Sequence, residues 1–148
     1  MNLQIRKTSL RELEATAFER AFDVVVLYTS SAMAEAALKR AEELANGMNV
    51  HIRLVCTQII PYPLPMDQPP INLQHLEQEL ERISVQSGLD VEGEIVLARD
   101  MQTALKSALR SHSIVVMASS RRLWRTREES LKEECVKAGH EVVLCYAR

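Results

Sequence analysis

Glycine is scarce: the chain has four in 148 residues, and none between Gly93 and Gly139. The gap matters because strand-to-helix turns that hold phosphate commonly use glycine. Only a bare backbone lets several N–H groups close on an anion. Long apolar runs are also missing. No stretch approaches the ~20 residues that span a bilayer, and Met1–Lys7 lacks the continuous apolar core of a secretion signal. Aromatic residues make up only 4%, which argues against a base-stacking surface. A net charge of −2 gives no global attraction to nucleic acid or an anionic membrane. Cys56, Cys135 and Cys145 are odd in number, scattered, and without a Cys-x-x-Cys pair. That pattern points to reduced thiols and a cytoplasmic location, not a disulfide framework. His51, His75, His112 and His140 show no metal-ligand spacing.

What is present is an alternation of apolar runs and amphipathic stretches, in a length that suits one domain. Residues 8–22 read as a helix: Ser9-Leu10-Arg11-Glu12 has capping-box spacing, and Leu10, Leu13, Ala17 and Ala21 share a face. Val24–Tyr28 is a continuous apolar run, the pattern of a strand covered on both faces. Ser30 or Ser31 caps the next helix, over 32–46, which Asn46-Gly47 ends. A second strand spans 50–57; His51 and Arg53 alternate with apolar residues there and suggest one partly exposed end. All five prolines then cluster between Pro61 and Pro70, giving an extended loop that is either a lid or a connector.

The second half continues the alternation. Helices are expected over 71–87, over 101–110 with Asp100 as N-cap, and over 126–138. Strands are expected over 91–97, 113–117 and 142–146. Gly88 and Gly139 stop the helices before them. The order (α)βαβαβαβαβ with right-handed crossovers gives a doubly wound, three-layer α/β sandwich. Its Rossmann-like parallel sheet has five strands in the order 3-2-1-4-5. Residues 1–22 are read as an N-terminal helical extension and 23–148 as the α/β domain.

From Asp23 onward the chain resembles the universal stress protein family. Val24-Val25-Val26-Leu27-Tyr28-Thr29-Ser30-Ser31 leading to Glu35-Ala36-Ala37-Leu38 is similar to the family's aliphatic strand, Asp-Gly-Ser and Glu-x-Ala-Leu helix. Arg99-Asp100-Met101 is similar to its Gly-Asp-Pro, and Ile114-Val115-Val116-Met117-Ala118-Ser119 to its Leu-Ile-Val-Met-Gly-Ser. Members that bind ATP carry Gly-x2-Gly-x9-Gly-Ser/Thr after strand four and an Asp at the end of strand one. Here Ala118, Arg121, Leu131 and Lys132 occupy the four signature positions, and Thr29 stands in place of the Asp. The resemblance therefore implies a member that does not bind ATP in the family manner. It also implies a homodimer through the last strand, Val142-Val143-Leu144-Cys145-Tyr146, where an apolar sheet edge invites pairing. Helix 8–22 is the alternative cover for that edge.

Outside the resemblance, the turn after strand four holds the best candidates for chemistry. Arg121, Arg122, Arg125 and Arg127 could grip phosphate or carboxylate through planar forks. Ser119 and Ser120 add hydroxyls, and Thr29, Ser30 and Ser31 project from the neighbouring strand end. The plainer reading pairs these arginines with Glu128, Glu129 and Glu133, with Trp124 packing the loop. Ser119 lies in no Gly-x-Ser-x-Gly and has no evident base, so a hydrolase triad is poorly supported. Two expectations follow. The first is a non-enzymatic, cytoplasmic, dimeric interaction or regulatory module with no cofactor and a protein partner. The second is a binder of a nucleotide (ATP or AMP) or a small anion at the Ser/Arg loop.

Overall fold

The computed structural model describes residues 2–5, 23–46, 50–110, 113–120 and 127–147. The expected helix over 8–22, the Gly47 cap, and Arg121, Arg122, Trp124 and Arg125 lie outside the described residues. The strands are β1 (Asn2–Ile5), β2 (Asp23–Leu27), β3 (His51–Ile59), β4 (Val91–Ala98), β5 (Ser113–Ser120) and β6 (Glu141–Ala147). The helices are α1 (Ser31–Ala45), α2 (Leu73–Ser87), α3 (Met101–Ala108) and α4 (Arg127–Lys137). One sheet holds all six strands in the order β1-β4-β3-β2-β5-β6. The strands β4-β3-β2-β5-β6 pair in parallel, which is the expected 3-2-1-4-5 arrangement.

The sixth strand is an addition. β1 pairs antiparallel with β4, with Gln4 opposite Glu94. Four residues are too few to show strand periodicity in a sequence. Pairing to β4 closes that sheet edge, a common way of covering exposed backbone.

Side chains alternate across each central strand, so both faces need apolar cover. Val24, Val26, Ile52, Leu54 and Ile95 face α1 and α2, meeting Ala37, Leu38, Ala41, Leu80 and Ile83. Val25, Leu27, Val55, Val96, Val115 and Met117 face α3 and α4, meeting Leu105, Ala108, Leu131 and Cys135. The helix starts follow local chemistry. Ser30 accepts from the Met33 N–H, Asn72 from His75 and Asp100 from Thr103. After α2, Gly88 turns the chain at φ 70°, a conformation that favours glycine.

Two expectations need correction. The strand after helix α3 does not end at Met117; β5 continues through Ser120, with Ala118 opposite Cys145 and Ser119 opposite Tyr146. β6 is long enough to satisfy that extra backbone. Nor is the start of β3 partly open at Arg53. That residue is 1% exposed, among the most buried large side chains described.

Candidate functional site

Open parallel sheets hold ligands beyond the carboxyl ends of their strands, where the strand order reverses. Here that place lies between β2 and β5. Val26 pairs with Val116, and the same register carried three residues onward sets Thr29 level with Ser119. Thr29 and Ser30 follow β2, while Ser119 and Ser120 end β5, so these hydroxyls gather at one end of the sheet.

Most of those hydroxyls are already engaged. Ser30 Oγ caps α1, accepting from Met33 N at 3.3 Å. Ser31 Oγ donates to Glu79 Oε1 at 2.5 Å and lies 3.3 Å from the Tyr28 hydroxyl, so it ties α1 to α2. Arg82 grips Glu79 and reaches Glu35 at 3.3 Å. Hydrogen bonds from Arg82 first, then Ser31, pull the Glu79 carboxyl down to about 2. Ser119 is fully buried, and its Oγ donates to the Ser120 carbonyl at 3.3 Å. Thr29 differs: its Oγ1 is buried and has no hydrogen-bond partner among the described residues. A buried hydroxyl left unsatisfied costs about 1–3 kcal/mol.

Two further signature positions, Ala118 and Leu131, face inward. Ala118 is 1% exposed in the core below α1, and Leu131 is 6% exposed, on the inner face of α4 with Cys135. The first turn of α4 carries Glu128 and Glu129. A helix N-terminus attracts negative charge, and here the chain's own carboxylates already supply it.

The proline loop is held at its start. Arg99, just beyond β4, donates to the carbonyls of Ile60 (3.2 Å), Pro61 (3.4 Å) and Leu64 (2.6 Å). Its guanidinium also stacks 4.1 Å above the Tyr62 ring, an arrangement that adds cation–π attraction. Tyr62 itself remains 80% exposed.

The opposite end of the sheet holds a charged cluster that the sequence pattern did not reveal. Arg53 donates to Asp23 through Nε (3.3 Å) and Nη2 (2.9 Å), and to Glu94 through Nη1 (3.4 Å). Ser113 Oγ donates to Asp23 at 2.8 Å and accepts from Arg110 N at 3.2 Å. His51 Nε2 lies 3.2 Å from Glu92. Four adjacent strands contribute, all on the α3–α4 face. Burial alone would raise the Asp23 pKa, but the Arg53 and Ser113 hydrogen bonds outweigh it and hold the carboxyl below its ordinary value. The alternation His51-x-Arg53 with Glu92-x-Glu94 was the available signal: opposite charges at the same period in two strands that neighbour each other.

Among the described residues, no group of three or more His, Cys, Asp and Glu is placed to hold a metal ion. No described helix is long and apolar enough to cross a membrane. Burial raises the pKa of Cys56, and that of Cys135 to about 11, so these thiols resist ionisation.

Compared by sequence, the chain matches no protein-family model and no curated protein. Compared by fold, it is similar to a universal stress protein from Archaeoglobus fulgidus, with TM-score 0.59 and 16% identity over 87% of this chain and 96% of that one. A universal stress family protein from Burkholderia pseudomallei gives 0.53 and 19%, over 84% and 96%. A universal stress protein solved in complex with cAMP gives 0.53 and 13%, over 86% and 98%. The likeness covers nearly the whole of each relative, so this chain has the universal stress protein fold.

Proposed function

We propose that the chain is a divergent universal stress-like protein acting as a non-enzymatic, homodimeric regulatory or interaction module in the cytoplasm, without ATP held in the family mode. One observation carries this reading: two of the positions that should present bare backbone to phosphate carry side chains with other work. Ala118 and Leu131 fill the core, and Glu128 and Glu129 occupy the helix start. The dimer reading rests on β6, the sheet edge opposite β1. Its Val142, Val143, Leu144 and Cys145 are half-buried, and Tyr146 is 46% exposed. A second copy adding its own β6 would bury that strip. The test has two parts. Mass spectrometry of the denatured, purified protein should find no stoichiometric nucleotide. Light scattering should give twice the chain mass, falling to one chain mass when Val143→Lys/Tyr146→Lys is introduced. A copurified nucleotide, or a monomeric parent protein, would overturn the corresponding half.

Thr29 supports a second reading. Its buried, unpartnered Oγ1 is a group that a ligand would satisfy. On this reading a nucleotide such as ATP or AMP, or a small anion, sits against Thr29, Ser30, Ser31, Ser119 and Ser120, held by Arg121, Arg122 and Arg125. A thermal-shift panel of ATP, AMP, cyclic nucleotides and phosphate tests it. Ligand at a hundredfold excess over Kd adds roughly 2.7 kcal/mol of stability. A shift that survives Arg121→Ala/Arg125→Ala, or no shift at all, removes this second reading.

A further inference from the structure

Each helical layer leaves a groove between its two helices, of about 360 Å³ between α1 and α2. On one face α1 and α2 are bound together through Ser31–Glu79 and Glu35–Arg82. On the other, a cavity of about 280 Å³ opens between α3 and α4. Its floor includes Leu105 and Leu109, and its rim carries Lys106, Glu134, Lys137 and His140. Lys106 and Lys137 lie in the last turns of their helices, where the helix dipole favours cations. That accounts for their presence. It does not supply a counter-ion, and among the described residues neither lysine has an ion-pair partner. Two ammonium groups therefore share this rim with a single carboxylate, Glu134, and His140 provides a further donor.

We propose that this groove binds a small aliphatic carboxylate, its tail on Leu105 and Leu109 and its head between Lys106 and Lys137. Size and charge both favour that class. The cavity has the volume of roughly nine liquid waters, at the lower edge of small-ligand pockets. It suits a short acid better than a nucleotide. The excess positive charge on the rim selects a carboxylate over an amine of equal length, and the leucine floor selects an aliphatic chain over inorganic anions. This site is separate from the crevice between β2 and β5, and its test does not depend on ligand binding there.

The experiment is NMR titration of the full-length protein with three probes of equal tail length: octanoate, octanol and octylammonium. Octanoate should produce saturable shifts confined to the Leu105 and Leu109 methyls and the His140 ring. Octylammonium should bind at least tenfold more weakly, with octanol between them. Lys106→Glu/Lys137→Glu should cost octanoate at least tenfold while leaving the remaining spectrum in place, because both residues are exposed. Absence of saturable shifts, equal binding of octylammonium, or full octanoate binding by the double variant would overturn the proposal.

Discussion

The two ends of the parallel sheet are built from opposite materials. At the strand starts, Arg53, Asp23, Glu94 and Ser113 make a largely buried polar network, with the His51–Glu92 pair beside it. At the strand finishes, Thr29, Ser30, Ser119 and Ser120 are neutral and small. The first arrangement fixes the strands against each other: one guanidinium spans β2, β3 and β4. The second is uncharged, and in Thr29 it leaves a buried polar atom with no partner among the described residues. Charge is spent where the fold must be held, and hydroxyls stand at the strand ends where open parallel sheets commonly hold ligands.

The largest test of that contrast is Arg53→Met. It strands two buried carboxylates, and breaking such a group costs about 3–5 kcal/mol. Urea denaturation should show the loss as a lower midpoint; a change below about 1 kcal/mol would mean that the network does not hold the strand starts together. Acid should act on the same end. The folded pKa of Asp23 lies below its ordinary 3.8, so its contribution is complete above about pH 4 and disappears as pH falls through the folded value. Stability measured from pH 5 down to pH 2 should fall less steeply for Asp23→Asn than for the parent protein. At the other end the sign reverses. Thr29→Val keeps the shape, removes the orphaned hydroxyl, and should raise stability by about 1 kcal/mol. If it destabilises instead, Thr29 has a partner in solution. Smallest is Ser30→Ala, where an exposed 3.3 Å cap bond is lost; about 0.5 kcal/mol is expected from the thermal midpoint.

Much of the scaffold was legible because it is written in local chemistry. Apolar runs at Val24–Leu27 and Val115–Met117 need cover on both faces, and Ser30, Asp100 and Gly88 mark helix ends by properties of their own. The doubly wound class followed from the alternation of elements, which by itself fits more than one strand order. The candidate site was legible only in part. Thr29 and the lost glycine positions could be named, but Ser31's engagement with Glu79 joins residues 48 apart in the chain. Ser119 looked like a turn hydroxyl because nothing before residue 120 announces that β6 will pair so far along it. Arg53 looked solvated because a lone arginine in a strand usually is.

The sequence by itself determined the alternation of helices and strands, the helix caps, and the absence of a glycine cradle. These depend on neighbours within a few residues, where backbone preference and periodicity act. Tertiary structure alone decided that Arg53 is buried, that Asn2–Ile5 closes the β4 edge, and that Thr29 Oγ1 lacks a partner among the described residues. Those outcomes depend on which distant groups arrive within hydrogen-bond reach, and desolvation makes each such meeting, or failure to meet, worth kilocalories.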